Sequence, residues 1–277
     1  MLESFKYINH MKEELCFGNE GIFVNENELR DYSWNLISEN NKITGFKKGI
    51  VKKAIPIIIA CQSEEEGIKK KNSLAEIFDK DVLEAAHGKI IIGDYYLKCF
   101  VTGSKKSDYL VDKRVLRTEL EITTDCPFWI KEKSISFGKF ATNEGVVGGK
   151  NLDFNNDFSY DYLPQSIHSK LNNTGFVGSN FKMIIYGDVS NPAVTISGHE
   201  YKVNVDVGIN EYLTIDSISK KIYLTHIDGS MENVFNKRNR ESYIFQKIPA
   251  GNNSFSKSDS FGVDVVLMEE RSEPKWI

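Results

Sequence analysis

RVLRTELEITTDCPFWIKEK, Arg114 to Lys133, decides how this chain is read. Leu116, Thr118, Leu120, Ile122 and Thr124 fall on one side of an extended backbone, and Arg117, Glu119, Glu121 and Thr123 on the other. Two-residue alternation over that length predicts a half-buried strand. Pro127 has no N–H to give a ladder, so pairing is expected to stop there, with the large aromatics Phe128 and Trp129 just beyond. After Lys133 the pattern loosens into SISFGKFATNEGVVGGKN. The stretch therefore reads as the last strand of one domain, closed by an aromatic latch and followed by a tether. Pro127, Phe128 and Trp129 are the candidate junction residues. Trp129 is expected to pack near that junction, and Trp129→Ala to loosen the domain arrangement more than either fold.

Upstream, residues 5–8 and 22–24 read as short strands around a polar excursion. Tyr32, Trp34 and Leu36 alternate with Ser33, Asn35 and Ile37 and predict another strand. Residues 43–62 are rich in Ile and Val and predict one long strand or two, with Pro56 marking an edge, a bulge or a strand start. The period then changes. Ser63 before Glu64, Glu65 and Glu66 is a capping-box start, with acidic side chains at the positive end of the dipole. Ile68, Leu74, Ala75, Ile77 and Phe78 give a helix over 64–79. Asp79 or Asp81 is expected to cap a second short helix over 82–87, closed by Gly88. Residues 89–101, with Gly93-Asp94 in the middle, read as a β-hairpin, and 102–107 as a polar loop. The result is an α+β domain dominated by antiparallel sheet.

Downstream, Gly138, Gly145, Gly148 and Gly149 punctuate a stretch with little periodicity, which predicts a linker over 134–152. From 153 to 277 no helix is evident. Apolar runs at 181–186, 193–196, 201–207, 212–215, 222–227, 243–248 and 262–268 alternate with turn signals, the rhythm of a β-sandwich. The expected domains are 1–133, an α+β domain, and 153–277, a sandwich, so the chain as a whole is mainly β.

A length of 277 residues suits two modest cores. Hydrophobic residues at 40% and charged residues at 27% place the chain among globular proteins. A net charge of −4 argues against bulk electrostatic binding of nucleic acid. Cys16, Cys61, Cys99 and Cys126 form no C-x-x-C pair and sit among apolar neighbours, which favours free thiols in a reducing compartment and leaves disulfides open. The N-terminal residues carry no export-signal layout, and no apolar run approaches the roughly 20 residues needed to span a bilayer. No membrane insertion is expected.

Catalytic motifs are missing. Asp153, Asn155 and Asp157 have the first spacings of a calcium loop, but Phe158 stands where Gly is needed and Pro164 where Glu is needed. GVVGGK at 145–150 lacks the leading Gly and the Ser or Thr of a phosphate loop. His10, His87, His168, His199 and His226 are scattered singly. No enzyme, metal site or cofactor is expected. The tyrosines at 160, 162, 186, 201, 212, 223 and 243 are either core and edge residues or sugar-stacking platforms. A carbohydrate-binding adhesin recognising host cell-wall polysaccharide is therefore the alternative function.

Several stretches, taken in order, resemble the distal tail protein family of long-tailed bacteriophages. In the first half they are the strand at 30–36 with Trp34, the helix and the hairpin GDYYLKCFV at 93–101, and the exit LEITTDCPFW at 120–129. In the second they are Tyr160-Asp161-Tyr162, Tyr186-Gly187 with Asn191-Pro192, IPAGN at 248–252 and RSEPKW at 271–276. The resemblance covers nearly the whole chain, and the order of these stretches carries it. It implies a structural virion protein of the tail tip. The first domain would form a homohexameric ring, the belt, and the second would be a sandwich like galectins or carbohydrate-binding modules. The ring would join the tail tube protein to the hub or tail-associated lysin, anchor receptor-binding proteins and let DNA pass through its lumen. Assembly would take place in the host cytoplasm, in a phage, a prophage or a phage-tail-like bacteriocin. A ring needs two different complementary patches per subunit. The helix at 64–79 and the strands near Pro56 are the candidates.

Overall fold

The alternation in Arg114–Lys133 forms the expected strand, over Val115–Thr124, with Leu116, Thr118, Leu120, Ile122 and Thr124 all buried. The computed structural model describes residues 4–18, 21–107, 112–138, 170–258 and 260–276. It divides into two compact units, one built from Met1–Lys131 together with Glu270–Ile277, the other from Glu132–Glu269.

In chain order the first unit holds β1 (Phe5–Ile8), β2 (Glu14–Phe17), β3 (Ile22–Val24), β4 (Asn35–Glu39), β5 (Lys42–Lys47), β6 (Val51–Ala60), α1 (Glu64–Leu83), β7 (Gly88–Ile92), β8 (Tyr95–Ser107) and β9 (Val115–Thr124). β10 (Trp129–Phe137) begins in it. One antiparallel ladder runs β10-β8-β7-β1-β2 and another β3-β6-β9-β8. β8 serves both: its residues up to Cys99 pair with β7, and those from Phe100 pair with β9. Phe5, Tyr7, Ile55, Ile57, Ile59, Leu97, Leu120 and Ile122 join Leu74, Ile77 and Phe78 of α1 in one core. Each fully buried aliphatic or aromatic side chain contributes about 1.5–3 kcal/mol. Trp129 lies inside this core, 1% exposed.

Ser63 caps α1 as read, its Oγ accepting from the Glu66 N–H at 3.2 Å, while the Glu66 carboxylate reaches back to the Gln62 N–H at 3.3 Å. The helix does not stop at 79. It runs unbroken to Leu83, because Asp81 is fully buried and accepts hydrogen bonds from Tyr7 and His10 instead of capping a second helix. Glu84 caps the end and Ala85 takes the left-handed backbone, φ 51°. Gly88 opens β7 rather than closing a helix. A Cβ there would meet the Tyr7 hydroxyl at 2.2 Å and the Asp81 carboxylate at 2.3 Å. Gly88→Ala is therefore expected to cost about 1–3 kcal/mol by overpacking, read as a lower urea midpoint.

Residues 43–62 form two strands, β5 and β6, one of the two arrangements expected. Other expectations change. Pro56 sits inside β6. Its carbonyl accepts from Asn25 N–H where the β3 pairing ends, so the missing N–H interrupts no bond to β9. The supposed loop at 102–107 is strand, its register to β9 shifted between Val101 and Gly103. Residues 14–17, read as polar excursion, pair with β1. The ladder does break after Thr124, but strand resumes at Trp129 and continues to Phe137, so 134–137 are not linker. Residues 139–152 of that linker lie outside the described residues. The segment from Glu270 belongs to the first unit, not the second.

The second unit holds β11 (Lys170–Asn173), β12 (Asn180–Tyr186), β13 (Val189–Ser190), β14 (Ala193–Ile196), β15 (His199–Lys202), β16 (Asp206–Val207), β17 (Tyr212–Asp216), β18 (Lys221–Thr225), β19 (Met231–Asn233), β20 (Gly251–Lys257) and most of β21 (Val263–Arg271). A five-strand order, β19-β18-β17-β12-β21, and a four-strand order, β11-β20-β14-β15, share one core. Phe181, Met183, Ile185, Leu213 and Ile215 come from the first, and Leu171, Val194, Ile196, Tyr201 and Phe255 from the second. The expected strand at 243–248 is irregular, and Gly251, within the IPAGN stretch, begins β20. Tyr160 and Tyr162 and the calcium-like and phosphate-like loops lie outside the described residues.

Candidate functional site

Most apolar side chains of the first unit find the core; those of β4 and β5 do not. Among the described residues these strands pair only with each other. Asn40 and Asn41 turn the chain at φ 49° and 60°, the two left-handed positions of a tight hairpin turn, which asparagine tolerates. Leu36 lies opposite Phe46 and Ile37 opposite Gly45. Successive strand residues point to opposite faces, so both faces carry apolar groups. Leu36 is 60% exposed, Ile43 60% and Phe46 59%; Ile37, and Ile50 just beyond the hairpin, are also exposed. A two-stranded hairpin is marginal in water by itself, and a clustered exposed apolar surface marks an interface. The sequence reading placed Tyr32, Trp34 and Leu36 in a strand; the strand begins only at Asn35 and is solvent-facing.

The root of this hairpin is elaborate. Lys48, half-buried, lies 4.7 Å over the Trp34 ring, 4.6 Å over Phe128 and 5.3 Å over Tyr32. Its ammonium donates to the Pro127 carbonyl at 3.2 Å and to the Ser272 hydroxyl at 3.0 Å. Burial, helped by the nearby charge of Lys53, pushes its pKa down to about 8. Trp34 and Phe128 meet edge-on at 5.9 Å. On the other strand's approach, the Arg30 guanidinium stacks 3.8 Å from the Trp276 ring and donates to the Pro274 carbonyl at 2.9 Å. Lys53 is buried and donates to the Glu28 and Asp31 carbonyls, fixing the loop that leads in; burial lowers its pKa.

The three residues singled out in the sequence thus divide. Pro127 and Phe128 join the root of the hairpin, and Trp129 enters the core. Sequence offered no sign of Arg30, Lys48 or the 272–276 segment as their partners. The hairpin itself carried a signal that was open to reading: apolar side chains on both faces of a pair of strands joined by Asn-Asn.

Another surface of the first unit with apolar content is the outer side of α1, where Ile68, Val82 and Leu83 are exposed among Glu64, Glu65, Glu76 and Asp79. An open hollow of about 540 Å³ on the β3-β6-β9-β8 sheet is lined by Asn25, Pro56, Lys105, Arg117 and Glu119 among others. Pro56, Ile57 and Ile58 are its apolar members, and the remaining lining is polar or charged, unlike the predominantly hydrophobic and aromatic lining of a small-molecule pocket. Among the described residues no group of three or more His, Cys, Asp or Glu side chains is arranged to hold a metal. The four cysteines are free, Cys99 fully buried and its thiol pushed up by desolvation. Among the described residues no helix is long and apolar enough to cross a membrane.

Two histidines sit in charge networks. His10 places Nδ1 2.6 Å from Asp81 and Nε2 3.0 Å from Glu84. His226 places Nδ1 2.7 Å from Glu211. The carboxylate hydrogen bonds raise both imidazoles above the ordinary 6.5. A raised folded-state pKa contributes stability that is complete below the unfolded value and lost as pH rises through the folded one. The urea midpoint is therefore expected to fall as pH rises from about 6 through the raised values, and the double variant His10→Gln/His226→Gln to flatten that slope.

No family model matches this sequence, and no curated protein matches it. Solved structures do match the fold. The crystal structure of the phage SPP1 Dit (gp 19.1) protein, described as a paradigm of the hub adsorption apparatus in Gram-positive infecting phages, aligns with a TM-score of 0.59 at 10% identity. The alignment covers 96% of this chain and 99% of that one. A chain of the phage P2 baseplate in its activated conformation with Ca aligns with a TM-score of 0.58 at 13% identity, over 99% and 100% of the two chains. The p2 baseplate in its activated conformation with Sr gives 0.59 at 13%, over 98% and 99%. The chain shares the fold of these phage hub and baseplate proteins from end to end.

Proposed function

We propose that this chain is a distal tail protein, a structural part of a phage tail tip. Copies close into a homohexameric ring through the first unit. The ring joins the tail tube to the hub or tail-associated lysin, gives receptor-binding components an anchorage, and lets DNA transit its lumen. The end-to-end likeness in fold to SPP1 Dit and to baseplate chains supports the tail-tip role. The observation that carries self-assembly is the hairpin of β4 and β5, which exposes Leu36, Ile37, Ile43 and Phe46 and pairs with no other described strand. A ring needs a complement to that surface elsewhere on the subunit. The outer side of α1, with Ile68, Val82 and Leu83 among acids, supplies apolar contact and a charge opposite to that of Lys42 and Lys47.

Light scattering and negative-stain imaging test this. The expected particle has six times the 31.5 kDa mass of the chain and a central opening. A monomer at every concentration, alone and with tube and hub proteins co-expressed, overturns the ring.

A second reading, glycan binding by the second unit, draws on Tyr243. Its ring is 58% exposed, beside Phe245 at 6.0 Å and Lys220 at 5.6 Å. Titration with host wall polysaccharide, against Tyr243→Ala as control, decides it; no binding removes this reading.

A further inference from the structure

We propose that the segment from Arg271 to Trp276 is a strap that sets the hairpin of β4 and β5 for assembly, with Arg30 and Lys48 as the positioning residues that hold it. The inference deepens the ring reading and rests on it for the word assembly; the strap itself rests on contacts within the first unit.

Among the described residues the hairpin pairs with no other strand, so its direction is decided where it leaves the unit. Both points of departure are held by the same short segment. On the incoming side, Arg30 donates to the Pro274 carbonyl and stacks on Trp276. On the outgoing side, Lys48 donates to Ser272 while its ammonium faces Tyr32, Trp34 and Phe128. Lys48 also donates to the Pro127 carbonyl, which ties the root to the first residues after the β9 ladder. Pro274 is buried, so the strap is seated rather than resting on the surface. Two cations on opposite sides of the hairpin converge on three residues of one strap. Charge-assisted hydrogen bonds and stacked cations are stronger than neutral contacts. Remove the strap and Lys48 loses its Ser272 acceptor while Arg30 loses the Pro274 carbonyl and the Trp276 ring, which leaves the root with the Lys48 bond to Pro127 and its aromatic contacts.

Trp276 is 74% exposed and outside the core, so substituting it leaves the fold in place. Hydrogen exchange on the full chain, compared with Trp276→Ala, Arg30→Ala and a chain ending at Glu270, reads the effect. Amides of residues 35–47 are expected to exchange about tenfold faster in the variants, while those of β6 and β9 keep their rates. Ring formation, followed by light scattering, is expected to need about tenfold more protein. Trp276→Phe is expected to recover most of both. Unchanged exchange at 35–47 in Trp276→Ala and Arg30→Ala overturns the strap even if the shortened chain unfolds. A wild-type chain that never assembles overturns the ring reading, and the exchange comparison still decides whether the segment orders the hairpin.

Discussion

Trp129→Ala is expected to lower the stability of the first unit by about 3–5 kcal/mol, the cost of deleting a large aromatic from a closed core. Trp129 is 1% exposed and belongs to the same cluster as Tyr7, Leu97 and Leu120. A loss of that size is a large fraction of the roughly 5–15 kcal/mol that holds a domain folded. Phe128→Ala, one residue earlier and half-buried against Trp34 and Lys48, is expected to cost less and to act on the hairpin root. Urea unfolding followed by hydrogen exchange in β6 and β9 separates the two. The sequence suggested a latch whose loss would loosen the domain arrangement before either fold. Burial in the first unit's core moves the expected damage to that unit. A Trp129→Ala protein with unchanged urea midpoint and altered small-angle scattering would restore the latch.

The double variant Leu36→Asp/Phe46→Asp is expected to abolish ring formation and leave the fold intact. The two side chains face each other across the hairpin and are exposed, so their replacement removes no core contact. Exposed substitutions usually stay within about 0.5 kcal/mol. At an interface, each well-packed apolar anchor is worth about 2 kcal/mol or more, so the pair is expected to weaken self-association by about a thousandfold. Light scattering reads the mass and thermal unfolding the fold. A double variant that assembles like wild type removes the hairpin from the interface.

Much of this fold was legible because its signals are local. β9 announced itself by alternation, α1 by Ser63 and the acidic turn, and the β7–β8 hairpin by Gly93-Asp94. What stayed hidden depends on partners far along the chain. Lys48 meets Pro127 and Ser272, residues 79 and 224 positions away, and nothing near Lys48 declares them. β20, GNNSFSK, looks polar because a strand with one wet face needs only a neighbour, not a hydrophobic run, and β2 is too short an apolar run to stand out from the polar residues around it. The hairpin of β4 and β5 was readable as a strand pair with apolar groups on both faces, but what covers those faces was not. An apolar strand looks the same whether its own core or another chain covers it. Asp81 was read as a cap because short acidic side chains favour helix starts; its burial beneath Tyr7 and His10 decided otherwise.

The first unit is discontinuous, and this bears on the order of events during synthesis. Residues up to Lys131 leave the ribosome first, but the segment that closes their hairpin root follows only after Glu132–Glu269. At about 5–20 residues per second that interval is roughly 7–28 s. If the first unit's core folds as it emerges, the nascent chain would carry for that interval a hairpin whose root is not yet fastened. A polypeptide interrupted by premature termination in the second unit would keep the core and lack the fastening, so translation itself would act as a checkpoint on which chains enter the particle.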